Sequence, residues 1–165
     1  MRRTSVDVAV IGAGTAGLAA YRAAKAAGRT AAIIEGGPYG TTCARVGCMP
    51  SKLLIAAAEA AHGVSRFGEF GLRLNGGLEI DGRAVMARVR RERDRFVGFV
   101  LRGIDEIPDV DRIRGYATFI DDHTLQIDDG SRVVFRSAVI ATGSSPAVPV
   151  ALTSLGDRLV VNDDV

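Results

Sequence analysis

With 165 residues the chain has room for a single α/β domain and a sizeable core, and 47% hydrophobic residues with 20 glycines and no tryptophan suit a sheet packed by alanine and turned by glycine. A formal net charge of +2 argues for neither nucleic acid nor a membrane surface, and no run of 18 apolar residues offers a membrane span. Two cysteines make no disulfide scaffold, and Arg2-Arg3 does not begin a signal peptide because Asp7 and the glycines from Gly12 interrupt its apolar core, so a cytoplasmic location is expected.

Residues 5–11 (SVDVAVI) read as a parallel strand buried on both faces. Gly12-Ala13-Gly14-Thr15-Ala16-Gly17 follows as G-x-G-x-x-G, and residues 18–27 are strongly helix-forming up to Gly28, a C′ glycine. Residues 30–34 form the next strand, which Glu35 ends, completing a β-α-β unit. A lone G-x-G-x-x-G is weak, but here it leaves a strand, opens a helix and has an acidic residue 18 positions past its last glycine. Gly12 permits the tight turn, Gly14 lets backbone approach a pyrophosphate, and Gly17 allows close packing of helix on strand. The helix N-terminus then carries the pyrophosphate, and Glu35 accepts from an adenosine ribose that lacks a 2′-phosphate.

The next stretch, residues 36–52 (GGPYGTTCARVGCMPSK), contains both cysteines and runs into an Ala- and Leu-rich helix. Unpaired N–H groups at a helix start stabilise a thiolate, Pro50 fits the first turn, and Lys52 lies one turn beyond Cys48. Cys48 is nearer the helix start and is expected to ionise more readily than Cys43. Cysteines at i and i+5 of a regular helix have Cα atoms about 8.5 Å apart, and a disulfide spans roughly 4.4–6.8 Å. If the two pair, the backbone leaves regular helix between them, with Gly47 as the bend. An inert buried pair or half of a metal site stands as the alternative at this point.

Beyond the helix over 48–62, residues 63–77 are Gly-rich and irregular. A long helix over 81–104 follows, with Asp81 as N-cap and Val85, Val89, Phe96, Val100 and Ile104 on its apolar face. Its arginines, interleaved with Glu92 and Asp94, read as a solvated face rather than a nucleic-acid patch. Residues 111–120, 124–127 and 132–135 form a three-stranded meander joined by hairpin turns. Residues 138–143 (AVIATG) make a buried strand that rejoins the parallel sheet. His62 and His123 are expected to end a helix and fill a turn, and no metal site is expected.

Taken together, Gly12–Gly17 with Glu35, the Thr42–Lys52 stretch T-C-x-x-x-x-C-x-P-S-K, and Ala141-Thr142-Gly143 closing a strand resemble, in order, the N-terminal part of the pyridine nucleotide–disulfide oxidoreductases. That family includes dihydrolipoamide dehydrogenase, glutathione reductase and mercuric reductase. The resemblance implies a Rossmann-like FAD-binding domain: an α/β fold with a parallel sheet, flanking helices and the antiparallel meander. It implies that residues 1–149 are the first, larger segment of that domain and 150–165 a linker. Gly12, Gly14, Gly17 and Glu35 would hold the pyrophosphate and ribose of FAD. Thr42 and Lys52 would lie along the ribityl chain and isoalloxazine, while Ala117, Thr142, Gly143 and Ser144 would line the adenine side. Cys43 and Cys48 would form the redox disulfide, Cys48 screened beside the flavin and Cys43 more exposed, exchanging with a dithiol or disulfide substrate.

The implied activity is electron transfer among NAD(H) or NADP(H), FAD, this pair and a substrate such as lipoamide, with a mercuric reductase-like enzyme as the nearest rival. A non-catalytic nucleotide-binding module with redox-sensing or soft-metal-binding thiols is the reading from another class. The family's usual Gly-Gly before Thr-Cys is Gly40-Thr41 here, and Arg45 stands where Asn is usual. The family's nicotinamide-binding domain, the rest of its FAD domain and its dimerisation domain have no counterpart in this chain. The 165 residues alone are therefore expected to be inactive, as part of an enzyme that is homodimeric at full length.

Overall fold

A computed structural model describes residues 3–164. Arg2 of the basic pair and Val165 of the expected linker lie outside the described residues. The chain divides into two compact units: residues up to Thr42 with Phe99–Ser145, and Cys43–Gly98 with residues from Pro146 onward.

The first unit is built on a six-stranded sheet. Strand β1 (Arg3–Ile11) leads into helix α1 (Thr15–Ala26) and back to β2 (Ala31–Glu35), which pairs parallel to β1 with Val10 opposite Ile33. Gly28, at φ +70°, ends the α1 turn as its position beyond Ala27 requires. Strands β3 (Arg112–Arg114), β4 (Ala117–Asp121), β5 (Thr124–Ile127) and β6 (Arg132–Ile140) complete the order β3-β2-β1-β6-β5-β4. β1, β2, β3 and β6 run parallel, while β4, β5 and β6 form the antiparallel meander.

Two expectations change here. The single strand over 111–120 is two strands on opposite sheet edges, because the chain turns at Gly115. At φ +137° a side chain there would meet Asp128 and Ile127, and the Gly115 N–H is donated to the Glu35 carbonyl. The strands over 132–135 and 138–143 are instead one strand, β6, ending at Ile140. Its second half is only half-buried, with Ile140 68% exposed, because β5 pairs with residues 132–134 alone and leaves the rest flanked only by β1.

Side chains alternate between the two faces of β1 and β2. Val10, Ala31 and Ile33 pack with Leu18 and Tyr21 of α1 and with Ile104 and Ile107. Ala9, Ile11 and Ile34 pack on the other face with Leu125, Ile127, Val133 and Phe135. Tyr21 ties α1 to the start of β3, its hydroxyl donating to Asp111 at 2.6 Å beside Lys25 at 2.9 Å.

The second unit contains most of α2 (Thr42–Arg45), all of α3 (Cys48–Ser65) and the first part of α4 (Gly82–Asp105). The α3 helix runs three residues past its expected end, and residues 67–70 form a 3-10 turn within the stretch expected to be irregular. Asp81 caps α4 as expected, its carboxylate accepting from the Ala84 N–H at 2.9 Å. Val89 is buried, but Phe96, placed on the apolar face by its spacing, is exposed. Glu92 and Asp94 pair with Arg91, Arg93 and Arg95, which is how a solvated basic face is stabilised. Residues 150–158 and 162–164 are short 3-10 segments. Among the described residues no helix is long and apolar enough to cross a membrane.

Candidate functional site

In the first unit, the carboxyl ends of the parallel strands bring together four loops, the place where open α/β sheets bind ligands. Gly12 adopts φ +105°, and a Cβ on it would lie 2.3 Å from the Ala141 carbonyl oxygen. A Cβ on Gly17 would lie 1.8 Å from the Gly12 oxygen, so these two glycines let strand, turn and helix approach one another. Gly14 differs: it is the N-cap of α1 at φ −78°, makes no side-chain cap, and has nothing within 4 Å of an added Cβ. The first turn of α1 also contains no acidic residue. The result is a backbone cradle of open space and helix-start N–H groups, a fit for a pyrophosphate.

Glu35 joins two of the loops. Its Oε2 accepts from the Ala13 N–H at 2.8 Å and its Oε1 from the Gly37 N–H at 2.7 Å. Each carboxylate oxygen retains a further lone pair for a ribose hydroxyl. The Ala141 N–H is donated to the Ile11 carbonyl, so exposed Thr142, Gly143 and Ser144 leave the sheet directly beside the Gly12 turn. Ala117 opens β4 just after Tyr116, whose ring covers Gly36: a Cβ there would meet it at 2.5 Å. Sequence reasoning missed Tyr116, and also Arg114, which reaches the Gly37 carbonyl at 2.6 Å and lies over the Tyr39 ring. Their pairing across 77 residues leaves no periodic trace in the sequence.

The second unit contains the thiols. Helix α2 stops at Arg45 and α3 starts at Cys48, with Gly47 at φ −117°, ψ −105° between them. The backbone therefore leaves regular helix between the cysteines, as their spacing requires of a pair. The expected disulfide is not formed: both are free thiols, and the Cys43 thiol is held above the ordinary 9.0 chiefly by its hydrogen bond to Cys48, then by burial. The Cys48 N–H and the charge of Lys52 pull it the other way. The expected order of exposure is reversed. Cys43 is half-buried beside the buried Ala44, whereas Cys48, on the first turn of α3, is exposed. Pro50, in that first turn, is buried.

Asn162 also donates to the Val46 carbonyl at 3.4 Å, bringing the C-terminal segment onto the break between the thiols. Thr42, which opens α2 in the first unit, is exposed. Thr41, where the family has glycine, holds φ +60°, a conformation unfavourable for a β-branched residue. His62 lies near the end of α3 and His123 in the β4–β5 turn, and among the described residues no three metal-ligating side chains cluster.

Fold and loops together define a Rossmann-like α/β unit, and the same chain contains a dithiol. Residues 6–161 match the family described as pyridine nucleotide-disulphide oxidoreductase, and the chain belongs to that family. It is similar to the mercuric reductase of Staphylococcus aureus, 37% identical over 148 residues that make up 87% of this chain and 26% of that protein. It is also similar to the dihydrolipoyl dehydrogenase of Mycobacterium tuberculosis (strain CDC 1551 / Oshkosh), 37% identical over 167 residues, or 98% of this chain and 35% of that one. The solved structure of the HOCl-induced flavoprotein disulfide reductase RclA from Escherichia coli matches with a TM-score of 0.68 at 25% identity, over 87% of this chain and 29% of that one. The chain thus spans about a third, or less, of the length of these relatives.

Proposed function

We propose that this chain is the FAD-binding, dithiol-bearing part of a disulfide oxidoreductase of the dihydrolipoyl dehydrogenase type, passing electrons between NAD(P)H, flavin, Cys43–Cys48 and a dithiol or disulfide substrate. The observation that carries the reading is the thiol pair: two sulfurs in hydrogen-bond contact, set in a helix break, one of them exposed. Bound FAD supplies a two-electron relay between nicotinamide and sulfur. Gly12, Gly14 and the first turn of α1 receive its pyrophosphate, Glu35 its ribose, and Ala117, Thr142, Gly143 and Ser144 the adenine side. By the family resemblance, Thr42 and Lys52 would hold the ribityl chain and isoalloxazine.

By the family resemblance, Cys48 would be the thiol that exchanges electrons with the flavin and Cys43 the one that exchanges with substrate. In the reductive direction the Cys43 thiolate attacks a substrate disulfide, forming a mixed disulfide and releasing one substrate thiol. Cys48 then displaces the second substrate thiol, leaving a Cys43–Cys48 disulfide two electrons more oxidised. The nicotinamide, NAD(H) or NADP(H), binds outside the Gly12–Gly17 unit, and the working enzyme is a cytoplasmic homodimer. A mercuric reductase-like activity is the second reading, favoured by the mercuric reductases among the similar proteins and by the affinity of paired thiols for soft metals.

Titrating the protein with FAD, followed by flavin fluorescence, tests the binding part, and NADH oxidation by the complete gene product with lipoamide against Hg(II) tests the substrate. Stoichiometric FAD binding with faster lipoamide reduction is expected. No FAD binding by the complete gene product would refute the reading, and reduction of Hg(II) alone would favour the second.

A further inference from the structure

Toward the amino end of β2, and so away from the Gly12 turn, the first unit has a concavity of about 270 Å³. It is lined by Asp7 and Val8 of β1, Arg29 of the α1–β2 turn, and Arg136 and Ser137 of β6. The carboxylate is fixed: Asp7 Oδ2 accepts from the Thr30 N–H at 3.0 Å and from the Thr30 hydroxyl at 2.9 Å. The Asp7 N–H is donated back to Thr30 Oγ1 at 2.8 Å. The bond from the Thr30 backbone, then that from its side chain, hold the Asp7 carboxyl below the ordinary carboxylate range, and the charges of Arg29 and Arg136 add to them. Both guanidiniums thus act on one carboxylate. The other Asp7 oxygen, Oδ1, lies 3.7 Å from Arg136 Nη1, too far for a hydrogen bond. Arg29 is anchored through its backbone, whose N–H is donated to the Ala24 carbonyl at 3.0 Å. Among the described residues, no hydrogen bond or ion pair engages the Arg29 guanidinium or the Ser137 hydroxyl. The lining therefore has one positive charge in excess and donors in surplus.

We propose that this concavity binds a small doubly charged oxyanion, phosphate or a phosphate monoester, held by the Arg29 and Arg136 guanidiniums with the Ser137 hydroxyl as a further donor. Guanidinium forks match pairs of phosphate oxygens, and an anion between the two arginines relieves the repulsion that Asp7 offsets only in part. A dianion gains more from the excess charge than a monocarboxylate does. The site is separate from the backbone cradle at Gly12–Gly17 and does not depend on the disulfide oxidoreductase reading.

Titrating isotopically labelled protein with inorganic phosphate, at about pH 8 where it is chiefly a dianion and with chloride holding the ionic strength constant, tests this by amide NMR. Saturable shifts of the Thr30, Arg136 and Ser137 amides along one curve are expected. Arg29→Gln and Arg136→Gln should each weaken binding about three- to ten-fold, the size of one Coulomb interaction in a solvated site. Both arginines are exposed, so these variants disturb no core, and the dispersed amide spectrum checks that each is folded. Asp7→Asn keeps an oxygen for Thr30 and removes the competing charge, so it should tighten binding by a similar factor; a merely structural cluster predicts no gain. An absence of saturable shifts at these three amides, or shifts confined to Gly12–Gly17, would overturn the proposal. So would an unchanged affinity in both arginine variants, or a lowered one in a folded Asp7→Asn protein. Acetate that binds as tightly as phosphate would overturn the assignment to a dianion.

Discussion

The carboxylate of Glu35 accepts the Ala13 N–H through one oxygen, at 2.8 Å, and the Gly37 N–H through the other, at 2.7 Å. Glu35 therefore fixes the glycine turn after β1 to the loop after β2 before any ribose is present. Replacing it should cost both stability and binding. Glu35→Ala leaves two part-buried N–H groups without their charged acceptor and is expected to lower stability by about 1.5–3 kcal/mol. Glu35→Gln retains one acceptor oxygen and should fall between. Chemical denaturation of the flavin-free variants checks this: if Glu35→Ala unfolds at the wild-type midpoint, the carboxylate does not fix the loops.

Gly14 and Gly17 should separate binding from folding. An alanine at residue 14 meets nothing within 4 Å and keeps an ordinary φ of −78°, so Gly14→Ala should stay within about 1 kcal/mol of wild type. Its methyl group enters the cradle, and FAD affinity should fall by about tenfold or more. Gly17→Ala places a Cβ 1.8 Å from the Gly12 oxygen and should cost about 3 kcal/mol or more, losing the fold and FAD together. Paired melting and FAD titrations check both; a Gly14→Ala protein that binds FAD as wild type does would move the pyrophosphate elsewhere.

The β-α-β unit was legible because each of its parts leaves a local mark: the apolar run of β1, glycines with steric reasons, and an acid at the end of β2. The meander was less legible. Nothing near Gly115 shows that its N–H is taken by Glu35 or that Asp128 and Ile127 crowd it, so two strands read as one. The break between α2 and α3 was expected only for a paired Cys43–Cys48 and is present with both thiols free, and which sulfur is exposed was not legible in the spacing. Cys43 lies half-buried on α2 while Cys48 is exposed at the start of α3, a difference set by tertiary packing that leaves no mark in the spacing.

Tyr21 gives an alkaline signature. Burial, and then its hydrogen bond to Asp111, raise its phenol well above the ordinary 10.0. The folded state therefore holds the proton more tightly than the unfolded state. Its contribution is complete below about pH 10 and is lost as pH rises toward the folded value, at up to about 1.4 kcal/mol per pH unit. Tyr21→Phe should cost about 1–2 kcal/mol at neutral pH and should remove this loss. The difference between the two proteins, measured by denaturation between about pH 9 and 11, isolates Tyr21 from the other groups that titrate there. Parallel curves over that range would show that the phenol does not carry the effect.

The Cys43 thiol is held above the ordinary 9.0, and the largest cause is its hydrogen bond to Cys48, followed by burial and the negative charge that Cys48 carries when ionised. Against these stand the Cys48 N–H and the charge of Lys52. Removing the Cys48 side chain deletes the first and third causes and leaves the N–H and Lys52 in place, so the balance moves toward the thiolate. In Cys48→Ala, the pH midpoint for alkylation of Cys43 by iodoacetamide, followed by mass spectrometry, should therefore lie below its midpoint in wild type. Cys48→Ser keeps an oxygen able to accept a weaker hydrogen bond and should lie between them. Lys52→Met should act in the opposite sense, raising the midpoint by removing the one cation named among the causes. The midpoint is read rather than the limiting rate, because the half-buried position of Cys43 slows alkylation at every pH without shifting where the thiol ionises. A Cys43 midpoint that rises in Cys48→Ala would mean that the partner sulfur stabilises the Cys43 thiolate, which would overturn the cause assigned here.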